Sequence, residues 1–169
     1  QAGRQHDGAD HFGGRSGGHR VASGTPSKSS GPRVSFMPVG IRVFVIDDTE
    51  HVRKMLVQML ELSDFEIVGS ARSGREALEL IDEADPQVIV LDYKMPGMDG
   101  IEVAREIRAR RPEQSIILNT AYLDYETQQL ATSAGIAVCV GKVEGLATLE
   151  RDIRRLAGDL FAGDSEPDR

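Results

Sequence analysis

The stretch Val88-Ile89-Val90-Leu91-Asp92-Tyr93-Lys94-Met95-Pro96-Gly97-Met98-Asp99-Gly100 decides the fold. Four apolar residues end on one carboxylate, and a Pro/Gly turn follows at once. A short apolar run bounded by turn signals reads as a buried strand of a parallel sheet. In open α/β sheets, ligands sit just past the carboxyl ends of such strands. Asp92 therefore stands where a reactive group would be. Taken alone it is equally an Asp that opens a turn, since Asp is common there.

Three other predicted strand ends carry matching chemistry. Ile41 to Ile46 runs into Asp47-Asp48, Ser115 to Asn119 into Thr120-Ala121, and Ala137 to Gly141 into Lys142. Two acids, one acid, a hydroxyl and a lysine thus close four strands in that order. This ordered set resembles the receiver domain of two-component response regulators, as in the single-domain chemotaxis regulators, over about residues 41 to 161.

Between these strands the text alternates with helices. Asp48 or Thr49 caps a helix to about Leu62, with Val52, Met55, Leu56, Met59 and Leu60 on one face. Phe65 to Gly69 is a further strand. Ser73 then caps a helix with Glu76 as a capping box, and Ala77, Leu78, Ile81 and Ala84 face inward until Asp85-Pro86 stops it. A helix over Gly100 to Arg110 turns Ile101, Ala104 and Ile107 inward. The next, Asp124 to Ala134, is thinly anchored by Leu130, Ala131 and Ala134, which suits a mobile or partner-facing element. The last, Leu146 to Phe161, carries Leu146, Leu149, Ile153, Leu156 and Leu160. Five β-α pairs with right-handed crossovers predict a doubly wound parallel sheet of the flavodoxin-like kind, order 2-1-3-4-5, with helices on both faces.

That strand order makes Asp47, Asp48 and Asp92 converge. Like charges so close raise one another's pKa unless a cation neutralises them. A hard divalent ion with oxygen ligands and retained waters, Mg²⁺, is the natural remedy. The resemblance implies Asp48 and Asp92 as direct ligands with the backbone carbonyl of Lys94, and Asp47 acting mainly through water. It also implies Asp92 as the phosphoacceptor, with Thr120 and Lys142 serving the phosphoryl group. Ala121 is small and leaves the entrance open. Lys94 and Tyr122 occupy the two positions, each two beyond Asp92 or Thr120, that tune dephosphorylation in that family. Tyr122 is bulky enough to screen an acyl phosphate, so a long-lived phosphorylated state is expected. Two positions depart from the family's pattern. Val143 stands where a proline usually follows the lysine, which puts the usual cis bond in doubt. Cys139 stands where Tyr or Phe is common. A small buried residue is the reading expected for Cys139, with conformational coupling running instead through the loop after Thr120 and the ring of Tyr122 or Tyr125.

Composition narrows the function further. The net charge of −7 divides into +3 over residues 1 to 40 and −10 over the rest, and an acidic domain argues against direct DNA binding. One cysteine allows no internal disulfide, which fits a cytoplasmic protein. No apolar run approaches the ~20 residues of a membrane span. Residues 1 to 40 hold nine of eighteen glycines and read as a disordered extension, in which His6, His11 and His19 lack metal-site spacing. Met37 precedes the first strand closely, so residues 1 to 36 are candidate upstream sequence. Residues 162 to 169 read as a disordered tail, too short for an output domain.

The expectation is a single-domain, non-enzymatic response regulator. It would be phosphorylated by a histidine kinase or histidine phosphotransfer protein and would signal to a downstream protein target. The alternative is a phosphate-independent receiver-like interaction module. A flavin carrier is disfavoured because Asp47-Asp48 would repel the cofactor's phosphate. A nucleotide enzyme is disfavoured because no Walker loop or dinucleotide glycine pattern follows any strand.

Overall fold

A computed structural model describes residues 40–162. Its elements are β1 (Arg42–Ile46), α1 (Glu50–Leu62), β2 (Glu66–Ala71), α2 (Gly74–Ala84), β3 (Val88–Asp92), α3 (Gly100–Arg110), β4 (Ser115–Thr120), α4 (Tyr125–Ser133), β5 (Val138–Gly141) and α5 (Leu146–Ala162). The five strands are parallel in the order β2-β1-β3-β4-β5, as the alternation predicts. The expected disorder of residues 1–40 and 162–169, and the three N-terminal histidines, fall outside the described residues apart from the two end positions.

The strands alternate side chains between two apolar layers. Phe44, Ile46, Ile89, Leu91, Ile116 and Leu118 pack against α2, α3 and α4, while Val43, Val45, Val88, Val90, Ile117 and Val140 pack against α1 and α5. Both faces of β3 are covered, so all five of its residues, Asp92 included, are buried. This is why its sequence is continuously apolar rather than alternating.

Two helix expectations need correction, while that for α1 holds: Val52, Met55, Leu56 and Met59 line one groove, although only Leu56 and Leu60 are buried and Met55 is 53 % exposed. The apolar stripe is wider than the strip of sheet available to cover it, so its outer edge remains in water. In α4 the buried residues are Thr127 and Ala131, with Ala134 at the cap, whereas Leu130 is 37 % exposed. Asp124 caps this helix by accepting from the Thr127 amide. The Ser73–Glu76 box is half made. Ser73 Oγ accepts from the Glu76 amide at 3.2 Å, but the Glu76 carboxylate accepts from the Arg72 amide instead of that of Ser73.

At the amino end of the sheet, Asp85 caps α2 in the left-handed conformation and pairs with Arg42 of β1 and Arg111 beyond α3. This fastens three successive β-α units at the end opposite the acids.

Candidate phosphoacceptor site

The carboxyl ends of β1, β3 and β5 bring three acids and a lysine together. β1 delivers Asp47 and Asp48, which together with Asp92 offer three carboxylate oxygens within 4.8 Å of one another. The loop behind Asp92 is shaped by backbone constraints. Gly97 takes a positive φ of 84°, open to glycine at no steric cost. Asp99 and Glu102 form a reciprocal capping box at the start of α3. Gly100 donates its amide to the Tyr93 carbonyl at 2.8 Å, and a Cβ there would stand 2.4 Å from the Asp92 carbonyl oxygen. The start of α3 is thus seated directly on the end of β3.

Asp47 is 2 % exposed, and both its oxygens are engaged: Oδ1 accepts from the Thr49 amide and Oδ2 from Lys142 Nζ, each at 2.9 Å. Lys142 Nζ also lies 3.0 Å from Asp92 Oδ1. Asp48, half-buried, lines a pocket of 410 Å³ with Tyr93, Lys94, Met95, Pro96 and Asp99. The donor set fits a hard cation. Three carboxylates face one ammonium, and the acid with both oxygens engaged is the one expected to act through water.

The titration of these groups follows. Burial raises the Asp92 carboxyl above the ordinary carboxylate range; Asp47 adds to this, and the attraction of Lys142 opposes it without prevailing. Burial alone would lower the Lys142 pKa, but the hydrogen bonds and charges of Asp47 and Asp92 outweigh it and hold the ammonium above its usual value. Both partners therefore shift upward, although a simple ion pair would move the acid down. Desolvation of Asp92 is the larger influence.

Thr120 ends β4, one residue beyond Asn119, the register partner of Asp92. Its hydroxyl is engaged within its own loop. It donates to the Tyr122 carbonyl at 3.2 Å and accepts from the Tyr122 amide at 3.3 Å. Ala121, Tyr122 and Tyr125 are exposed. Cys139 is half-buried rather than buried, pairs in register with Leu118, and packs on the α2-α3-α4 side. After Lys142 the chain makes a single 3₁₀ turn to Glu144, whose carboxylate accepts from the Gly141 amide, and Val143 is 90 % exposed.

Sequence reasoning missed two features. The Lys94 ammonium sits over the Tyr122 ring, 5.3 Å from its centroid. Arg53 donates to the Asp47 carbonyl at 2.6 Å from the first turns of α1. The positions of Lys94 and Tyr122 were each notable, but no spacing rule joins residues on different loops.

An acid cluster with a bonded lysine at the carboxyl end of a 2-1-3-4-5 sheet defines a receiver-type α/β protein. The chain belongs to the response regulator receiver domain family, whose model matches residues 43–154, and so to two-component phosphorelay signalling. It is 39 % identical over 124 residues to protein-glutamate methylesterase/protein-glutamine glutaminase 5 of Myxococcus xanthus, covering 72 % of this chain and 35 % of that protein. It is 36 % identical over 81 residues to chemotaxis protein CheY of Listeria monocytogenes, covering 48 % and 68 %. Among solved structures it resembles response regulator TrrA from Thermotoga maritima in complex with Mg²⁺-BeF, with a TM-score of 0.62 at 32 % identity over 68 % of this chain and 97 % of that one. The chain spans about a third of the methylesterase it matches, namely 35 %. Among the described residues no helix is long and apolar enough to cross a membrane.

Proposed function

We propose that this chain accepts a phosphoryl group on Asp92 from a histidine kinase or histidine phosphotransfer protein. The observation that carries the reading is the three-carboxylate cluster bonded to Lys142. In this reading Asp48, Asp92 and the Lys94 backbone carbonyl hold Mg²⁺, with Asp47 acting through water. The Mg²⁺-BeF complex of TrrA supports the choice of ion. When bound, the ion offsets the charge of the acids and of the incoming phosphoryl oxygens.

The chain's own residues do the rest. An Asp92 carboxylate oxygen attacks phosphorus in line, and the bond from phosphorus to the donor imidazole breaks. Lys142 neutralises a phosphoryl oxygen, and the Thr120 hydroxyl donates to another after leaving Tyr122. Ala121 leaves the entrance open, and Tyr122 screens the product from water. The signalling unit is proposed to run over residues 41–161, to act as a phosphoacceptor rather than an enzyme on a separate substrate, and to signal through protein contacts. Intact mass after treatment of the full chain with acetyl phosphate and Mg²⁺ is the test. A gain of one phosphoryl mass that needs Mg²⁺ and is absent from Asp92→Asn is expected. A chain that gains no mass would belong with phosphate-independent interaction modules instead.

A further inference from the structure

The Tyr122 residue holds two groups at once. Its backbone amide and carbonyl hold the Thr120 hydroxyl, and its ring faces the Lys94 ammonium. The two loops involved leave adjacent strands, since Asp92 of β3 pairs in register with Asn119 of β4. Lys94 reaches further along the same connection. The Asp124 carboxyl at the cap of α4 is lowered chiefly by the Thr127 amide, and Lys94 adds a smaller favourable field. A flexible, exposed lysine beside Asp92 is thus turned across the gap toward the β4–α4 connection.

We propose that Lys94 is a positioning residue that acts through Tyr122, holding the Thr120 hydroxyl inside the β4–α4 turn until a phosphoryl group competes for it. The proposal rests on Asp92 being the phosphoacceptor. A ligand moves a two-state element only through contacts that differ between the states. Here the resting state has two such contacts, both on Tyr122. A phosphoryl dianion on Asp92 offers acceptors to the Thr120 hydroxyl and to the Lys94 ammonium alike. Both groups then leave Tyr122 for the same competitor, and the β4–α4 turn loses its internal bonds and its tether to the neighbouring loop in one event. Breaking the tether in advance lowers the cost of releasing Thr120. An exposed cation–π contact of this geometry corresponds to a factor of about two to five in an equilibrium constant.

The test follows amide exchange at residue 122, corrected for intrinsic rate, in the full chain, together with the rate of phosphoryl uptake from acetyl phosphate with Mg²⁺. Lys94→Met should speed exchange about two- to fivefold. Tyr122→Leu, which keeps the lysine charge, should speed both exchange and uptake by the same factor. Lys94→Arg, which preserves the cation over the ring, should retain the wild-type exchange rate. The double substitution Lys94→Met/Tyr122→Leu should be no faster than either single change. Unchanged exchange at residue 122 in Lys94→Met, or effects that multiply in the double substitution, overturns the positioning role. A wild-type chain that takes up no phosphoryl mass overturns the phosphoacceptor reading instead, and the exchange measurements still decide whether the tether holds the turn.

Discussion

Lys142 Nζ lies 3.0 Å from Asp92 Oδ1, joining the ends of two strands that are not neighbours in the sheet. The lysine's raised pKa, achieved by Asp47 and Asp92 against the effect of burial, fixes the sign of its contribution. A raised base stabilises the fold below its ordinary pKa and loses that contribution only as pH rises through the higher folded value. Lys142→Met should therefore destabilise the protein throughout the neutral range, by about 1–3 kcal/mol, because two buried acids lose their ammonium. Urea unfolding at neutral pH, with and without Mg²⁺, measures this. Mg²⁺ should recover part of the loss, and a variant as stable as wild type would show that the pair contributes nothing.

Asp92 has the opposite linkage. Its carboxyl is raised, first by burial and then by Asp47, so its charged form costs stability. For a raised acid, stability is greatest below the ordinary carboxylate range and declines as pH rises through the folded pKa. Asp92→Asn should therefore stabilise the Mg²⁺-free protein at neutral pH by about 1 kcal/mol, roughly 3–5 °C in Tm for a domain of this size. Mg²⁺ should raise the Tm of wild type more than that of the variant. Equal Mg²⁺ shifts in the two proteins would remove Asp92 from the ligand set.

Gly100 tests the seating of α3 on β3. An added Cβ would meet the Asp92 carbonyl oxygen at 2.4 Å, a backbone atom with little freedom to move. Gly100→Ala should cost about 1–3 kcal/mol despite the better helix propensity of alanine. It should also slow phosphoryl uptake, since relief of the contact shifts Asp92. Thermal denaturation and intact-mass kinetics on the same sample check both effects.

Asp85 tests the other end of the sheet. Its carboxyl is lowered chiefly by Arg111, with Arg42 assisting and slight burial opposing. A lowered acid stabilises above its ordinary pKa and loses that contribution as pH falls through the folded value. Because the side chain is 61 % exposed, solvent screening limits the effect to about 0.5–1 kcal/mol. Asp85→Asn tolerates the left-handed backbone, so it should be less stable than wild type at neutral pH and equal to it in strong acid. A constant difference across the whole acid range would assign the loss to the backbone.

The strands and their terminal groups were legible because a covered parallel sheet leaves short apolar runs, four of which lead into polar or charged residues at their carboxyl ends; at β3 a Pro/Gly turn follows as well. The same reading singled out Asp47, Asp48, Asp92 and Lys142, which the fold brings together, and Thr120, whose hydroxyl bonds within its own loop. Helix faces were less legible. Periodicity reports which residues share a side, but the width of sheet beneath decides whether Met55 or Leu130 is covered. The 3₁₀ turn at Lys142–Glu144 escaped notice because it is only three residues long. The meeting of Lys94 with Tyr122 was invisible for a different reason: two loops from different strands approach only once the sheet has set their origins.

The distance in sequence between Asp47 and Lys142, 95 residues for one ion pair, has a consequence for how the protein is made. A ribosome adding about 5–20 residues per second delivers Asp92 several seconds before Lys142. For that interval the nascent chain holds all three acids and none of the ammonium that later bridges two of them. The acid pair that Lys142 bridges is thus complete only once β5 has been made. The last strand to emerge is therefore also the one that makes the pocket's charge bearable.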